Sequence, residues 1–378
     1  MALENSDLNA LMEGLPQELW PQGFSPADVA TLAILTNRER KVLTRRMNAI
    51  AAYLAGGATE STRHALAAGL SVPHFFVLLR EWRDSRSLAA IAPNVRRTRS
   101  STVDPKVRTE VEAAVSSPKD ASDDGESKET LAQRLHRDLG GSPSMSVLRR
   151  LVDEERGRAE RGEAGGFDGF GRRIVFDSAG LPLPVRPDGE GEAVWAVASF
   201  VVDVATGLIL GFGLGHHETA GGMNAQAALN AVTWLEDRTL DDPLDPGRRT
   251  AFTVVIGHDD AMSVLREGAR LLALPVDVTI VDGGGSYRQG AQLLRLIGRR
   301  VGTLELRPRQ AKDFPKPLPE STSDKEAAVE AMTPYVAGIV VSENIKAYNE
   351  PLLAQLRRPA IPLQSVVEDL RILYDVRP

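Results

Sequence analysis

Two aspartates stand where a strand would release them. Asp177 ends the run Arg172-Arg-Ile-Val-Phe-Asp, whose β-branched and aromatic residues read as a strand. Asp282 ends Asp277-Val-Thr-Ile-Val-Asp, a second such run that breaks into Gly283-Gly-Gly285. Strands that each deliver a carboxylate to the end of a sheet point to a metal–carboxylate site, because carboxylate oxygens suit a hard divalent cation. Asp259, just past the apolar run Phe252–Ile256, competes for the second position. Other polar groups have plainer readings. Asp203 falls at a hairpin turn, where Asp is favoured. His216-His217-Glu218 reads as a strand-end cap, and the glycines at 283–285 read as a turn, since no Lys-Ser/Thr follows to make a P-loop.

These positions require a sheet. After Asp177 comes a Pro/Gly-rich turn, then Ala193–Val204 and Leu208–Leu214 as two strands joined at Asp203-Val-Ala-Thr-Gly207. A helix over Ala220–Glu236 follows, then the strand Phe252–Ile256, a helix over Ala261–Leu272, the strand ending at Asp282, a helix over Gln289–Ile297 and a strand over Val301–Leu306. Pro308 to Pro319 is a basic, Pro-rich loop with Arg309, Lys312 and Lys316. Helix resumes at Lys325–Met332, and short helices are expected around Ile345–Asn349 and Leu363–Tyr374.

The N-terminal part is helical and unevenly charged. Residues 1–36 hold five acids and no Lys or Arg, and their prolines interrupt a short Leu pattern, which reads as a tether or docking segment. Residues 37–108 hold fourteen Lys/Arg against five acids, while the whole chain is at −6. A basic block between acidic flanks is the footprint of a nucleic-acid binder, although a solvated helical surface has the same composition. Within it, Arg38–Leu54 reads as a helix stopped at Gly56-Gly57. A helix from Thr59 to Ala68 turns at Gly69, and another runs from Ser71, with Pro73 in its first turn, through Trp82. Ala65 and Gly69, four apart, fit a helix-turn-helix whose last helix enters the major groove with Ser71, His74 and Arg80. Arg96, Arg97 and Arg99 form a basic linker suited to a phosphate backbone. A second, degraded helix-turn-helix breaks at Gly140-Gly141 and offers Arg149 and Arg150.

The domain reading is therefore 1–36 tether, 37–95 helix-turn-helix domain, 96–157 second helical domain, 158–171 glycine-rich linker, 172–333 sheet domain and 334–378 helical tail. The absence of cysteine removes disulfides, thiolate zinc sites and Cys nucleophiles. No basic, apolar leader opens the chain, and no apolar run is long enough to span a bilayer, so a cytoplasmic protein without membrane contact is expected.

Two helix-turn-helix units, a linker, Ile174-Val-Phe-Asp177, the hairpin Phe200-Val-Val-Asp-Val-Ala-Thr-Gly-Leu-Ile-Leu-Gly211 and Ile280-Val-Asp282-Gly-Gly-Gly-Ser-Tyr287 together resemble the DDE transposases of the Mu transposase and retroviral-integrase-like superfamily. The likeness runs from residue 38 to about 330. It implies a multidomain chain with N-terminal all-α helix-turn-helix units and an α/β RNase H-like (integrase catalytic core) domain. It further implies Mg²⁺, for which Mn²⁺ substitutes, and cleavage and transfer of transposon-end DNA. The two metals of such a reaction sit roughly 3.5–4 Å apart and activate the attacking and leaving oxygens. Asp177 and Asp282 would hold metal. A third acid is implied, and Glu320, 38 positions after Asp282, or Glu326 would supply it. Departures from the family pattern are Gly283 after the second acid, 105 positions between the two aspartates, and a Pro-rich setting for Glu320. The implied partners are double-stranded DNA, a homo-oligomer formed on it, and an accessory transposition protein. The alternative is a catalytically degenerate, transposase-derived DNA-binding or regulatory protein.

Overall fold

The computed structural model describes residues 12, 14–56, 61–93, 104–116, 128–141, 143–163, 169–187, 193–215, 220–237, 250–256, 261–282, 289–307, 331–355 and 363–375. The chain mixes helices with a five-stranded sheet and divides into two compact units, one built chiefly from the N-terminal helices and one holding most of the sheet.

The first unit contains α1 (Pro26–Ile34), α2 (Asn37–Gly56), α3 (Ser61–Ala68), α4 (Val72–Ser85) and the short α5 (Leu88–Ile91). Leu43, Met47 and Ile50 of α2, Ala65 and Ala68 of α3, and Phe75, Leu79 and Trp82 of α4 meet in one core, at the spacings an amphipathic helix uses. Residues 15–36, read as a tether or docking segment, contribute side chains to this core. Leu15, Leu19 and Trp20 are buried in it, and the Trp20 ring stacks on Phe24, meets Trp82 edge-on and donates its N–H to the Arg86 carbonyl. Apolar bulk outweighs the acidic composition there.

Asp28 joins two helix starts. One oxygen accepts from the backbone N–H (3.1 Å) and hydroxyl (2.8 Å) of Ser25, completing a capping box on α1. The other accepts from the Leu88 N–H (2.6 Å) at the start of α5. Asp28→Ala should cost about 2 kcal/mol, because a cap is lost and a buried N–H is left bare. Urea denaturation of the variant checks this, and a loss of a few tenths would mean water replaces the carboxylate.

In the second unit, α6 (Pro105–Ser116), α7 (Lys128–Asp138) and α8 (Met145–Glu163) close a small core around Val111, Leu131, Leu135, Leu148, Leu151 and Val152. The main sheet comprises β1 (Arg173–Val185), β2 (Val194–Asp203), β3 (Ile209–Gly215), β4 (Ala251–Ile256) and β5 (Asp277–Asp282), in spatial order β3-β2-β1-β4-β5. β2 and β3 are antiparallel, while β1–β4 and β4–β5 are parallel. The Val204 N–H, one residue past β2, donates to the Arg173 carbonyl at the start of β1, so these two strands also run in opposite directions. Parallel pairs need helical crossovers, and these are α9 (Ala220–Glu236) after β3 and α10 (Ala261–Leu272) between β4 and β5. α11 (Ala291–Ile297) follows β5.

Three segments differ from the sequence reading. β1 runs on past Asp177 to Val185, where a turn is expected. Its register with β4 ends at Phe176, so Pro182 and Pro184 lie where β4 asks them for no N–H. The expected strand over 301–306 is a hairpin of β6 (Arg300–Val301) and β7 (Leu304–Glu305), turned at Gly302 with φ +58°. The tail is α12 (Pro334–Leu353) and α13 (Leu363–Tyr374), and Val366, Val367, Leu370 and Leu373 of α13 belong to the sheet's own core.

α9 lies unusually close to β3. A Cβ at Gly211 would stand 2.3 Å from the Ala227 carbonyl oxygen, and one at Gly213 would stand 2.0 Å from that of Met223. Two asparagine side chains reach β3's backbone. Asn230 donates to the Phe212 carbonyl (2.6 Å). Asn349 of α12 donates to the Ile209 carbonyl (2.7 Å) and accepts from the Ile209 N–H (3.1 Å). No helix among the described residues is long and apolar enough to cross a membrane.

Candidate functional site

Asp177 lies within β1, one residue after the last register partner with β4, and is fully buried. Its carboxylate is occupied. One oxygen accepts from the backbone N–H groups of Ser178 (2.8 Å) and Gly290 (2.8 Å), the other from those of Gln292 (3.1 Å) and Leu293 (3.4 Å). The last three N–H groups are at the start of α11, where a helix leaves its first donors without partners. The residue in the capping position is Gly290, at φ +81° and with no side chain to serve them. Asp177, 113 positions earlier, is the cap in its place. Burial pushes its pKa up to about 7, and the four N–H groups pull the other way. Every one of these contacts comes from a donor, so the ionised carboxylate matches the site, with the positive end of the helix dipole beside it.

A carboxylate offers about four lone-pair directions. Four donors use them, which leaves none for Mg²⁺ in this arrangement, and the expected metal does not fit Asp177 as it stands. Asp282 is the last residue of β5, in register with Ile256. β4 separates β5 from β1, so at ordinary strand spacing the backbones that carry the two aspartates are about 9–10 Å apart. β1 lies between β2 and β4, and Asp259 follows β4 in the sequence. Asp259, Glu320 and Glu326 lie outside the described residues. Among the described residues, no three His, Asp or Glu side chains gather around a point that could hold an ion.

Asp203, the hairpin-turn residue, is the other buried acid of the sheet. It accepts from the Gly171 N–H (2.8 Å) and from both the N–H (2.8 Å) and hydroxyl (2.6 Å) of Thr206, and burial pushes its pKa up to about 6 against those bonds. It holds the β2–β3 turn and the entry to β1 together.

The helix-turn-helix residues are placed differently. α3 ends with the Leu70 N–H on the Ala65 carbonyl (3.0 Å) and the Gly69 N–H on that of Leu66 (2.9 Å), with Gly69 at φ +72°. This closing pair of bonds requires a left-handed residue, and glycine takes that conformation without strain. α4 then starts at once. Ser71, His74 and Arg80 are all exposed, while Phe75, Leu79 and Trp82 anchor the opposite face. The Ser71 hydroxyl bonds His74 Nδ1 (2.9 Å) and leaves the helix start uncapped. Phe76 is exposed beside Val77.

The second helical group has the same turn chemistry, with Gly140 and Gly141 both at positive φ and the Gly141 N–H on the His136 carbonyl. Its arginines have acidic partners. Arg149 pairs with Glu129 across α7 and α8, and Arg150 lies 3.5 Å from Glu154. Arg96, Arg97 and Arg99 lie outside the described residues.

Sequence reasoning counted the bases of α2 in the basic block but singled out none of them. Arg40, Lys41 and Arg45 line a cavity of about 930 Å³ together with His64 of α3. The signal was available as the i, i+4 spacing of Lys41 and Arg45 within Asn37-Arg-Glu-Arg-Lys-Val-Leu-Thr-Arg-Arg. No protein-family model matches the chain, and no curated protein matches it.

Proposed function

We propose that this chain binds duplex DNA through α3 and α4 and is a transposase-derived binding or regulatory protein, in which Asp177 serves the fold. The observation that carries the choice is the saturation of both Asp177 oxygens by backbone N–H groups. The RNase H-like reading of the second unit is supported by the element order: three strands in antiparallel succession, a helix, then parallel strands alternating with helices. DNA binding is supported by the tight turn at Gly69 and by Ser71, His74 and Arg80 on the open face of α4. Assembly into a homo-oligomer on DNA belongs to the same proposal.

A live DDE enzyme, using Asp177, Asp282 and Glu320 or Glu326 with Mg²⁺, is the second reading. The same element order favours it, as does the adjacency of β4 and β1.

The full-length protein should bind labelled duplex DNA with strong salt dependence, and Arg80→Ala should weaken binding about tenfold. It should neither nick nor join DNA with Mg²⁺ or Mn²⁺. Metal-dependent joining that Asp177→Asn abolishes would establish the enzyme. Absence of duplex binding at low salt would reduce the helix-turn-helix to scaffold.

A further inference from the structure

The cavity between α2 and α3 is lined by no residue of α4. Ala49, Ala52 and Ala67 give it its width, and Arg40, Lys41 and Arg45 give it charge. No acid lines it. The nearest acid in sequence, Glu39, is turned away. Its carboxylate accepts from the Thr36 N–H (3.0 Å) and hydroxyl (2.8 Å) in the capping box that starts α2.

The placement of these cations works against the helix. Arg38, Arg40 and Lys41 lie in the first turns of α2, at the positive end of its dipole, where acids are stabilising and bases are not. Lys41 and Arg45 are four apart, so they repel along one helix face. Arg45 is also next to Arg46, whose pKa is lowered first by burial and then by the Arg45 charge. The Arg45 guanidinium lies against Gly69, where a Cβ would come 2.4 Å from its Nη2, so this cation sits beside the turn that launches α4.

We infer that the α2–α3 groove binds phosphate, as a contact separate from the reading face of α4. Its alanine-widened centre and basic wall suit a phosphodiester backbone running beside the turn, or the phosphates of a free nucleotide. The inference adds a second contact to the DNA-binding reading, and its test separates the two.

The test uses the full-length protein with two probes: a labelled duplex titrated from about 50 to 200 mM salt, and ATP followed by calorimetry. The variants are Lys41→Ala/Arg45→Ala, which removes exposed charge, Ala52→Trp, which fills the groove with its charge intact, and Arg80→Ala on α4. If the duplex is the source, the double variant and the filled groove should each weaken binding about tenfold or more. The double variant should also lower the salt slope by about two, for two lost phosphate contacts. If a nucleotide is the source, wild type should give a heat with ATP that both groove variants abolish. Wild-type duplex affinity and slope in both groove variants, with no such ATP heat, overturns the inference. The DNA reading would then stand or fall on Arg80→Ala alone. An ATP heat confined to wild type, with no duplex binding, keeps the groove and removes the DNA reading. Circular dichroism on each variant verifies that α2 and α3 are folded.

Discussion

Asp177→Asn should destabilise the sheet-bearing unit by about 2–4 kcal/mol. Asparagine keeps the shape but replaces one acceptor oxygen with an NH₂ group. Whichever way the amide is turned, two of the N–H groups of Ser178, Gly290, Gln292 and Leu293 then face a donor. Leaving buried donors without acceptors costs about 1–3 kcal/mol, and bonds to a charged acceptor are among the stronger ones. The α11 start should loosen first, visible as faster amide exchange at Gly290 to Leu293. A cluster of acids awaiting metal behaves in the opposite way, because removing one charge relieves repulsion. Unchanged or higher stability in Asp177→Asn, together with stabilisation of wild type by Mg²⁺, would therefore reverse the assignment of Asp177.

Gly213→Ala should be more damaging still, at about 3 kcal/mol or more, with insoluble protein the expected outcome at ordinary growth temperatures. The added carbon would lie 2.0 Å from the Met223 carbonyl oxygen, 2.8 Å from its carbon and 3.0 Å from the Ala227 nitrogen. All three are helix backbone, so no side-chain rotation relieves the overlap, and α9 must lift away from β3. Overpacking against movable side chains costs about 1–3 kcal/mol, and rigid backbone sets a higher cost. Gly211→Ala meets Ala227 and Ala231 in the same way. By contrast, Gly222→Ala meets nothing within 4 Å and should be neutral or slightly stabilising. Soluble, fully folded Gly213→Ala with an unshifted denaturation midpoint would mean that α9 is not held this closely.

Local chemistry made most of the helices and strands legible. Ala220–Glu236 is bounded as its pattern indicates, and the β2–β3 hairpin falls where Asp203 and Gly207 turn it. Helix and strand periods are written in neighbouring residues, and so are caps such as Thr36 with Glu39. β1 was harder, since Pro182 and Pro184 look like a turn until it is known that no strand needs their N–H groups. The site was the least legible part. A buried Asp at a strand is the same string of letters whether it holds metal or caps a helix. The contact with Gly290 is too distant in sequence for any local pattern to connect. That β4 lies between the strands carrying Asp177 and Asp282 was hidden for the same reason: spatial strand order is a tertiary fact. The pairing of Arg149 with Glu129, 20 positions away, is likewise visible only once the helices are packed.

The asparagine that grips Ile209 has a consequence for how this molecule can associate. β3 is an outer strand, and an outer strand normally offers bare N–H and C=O groups to any extended chain that comes alongside. Asn349 presents one amide to both backbone groups of Ile209, as a passing strand would. At that point a second copy cannot continue the sheet, nor can a peptide be added as a sixth strand, without first displacing α12. Strand addition by any extended chain is thereby blocked at Ile209.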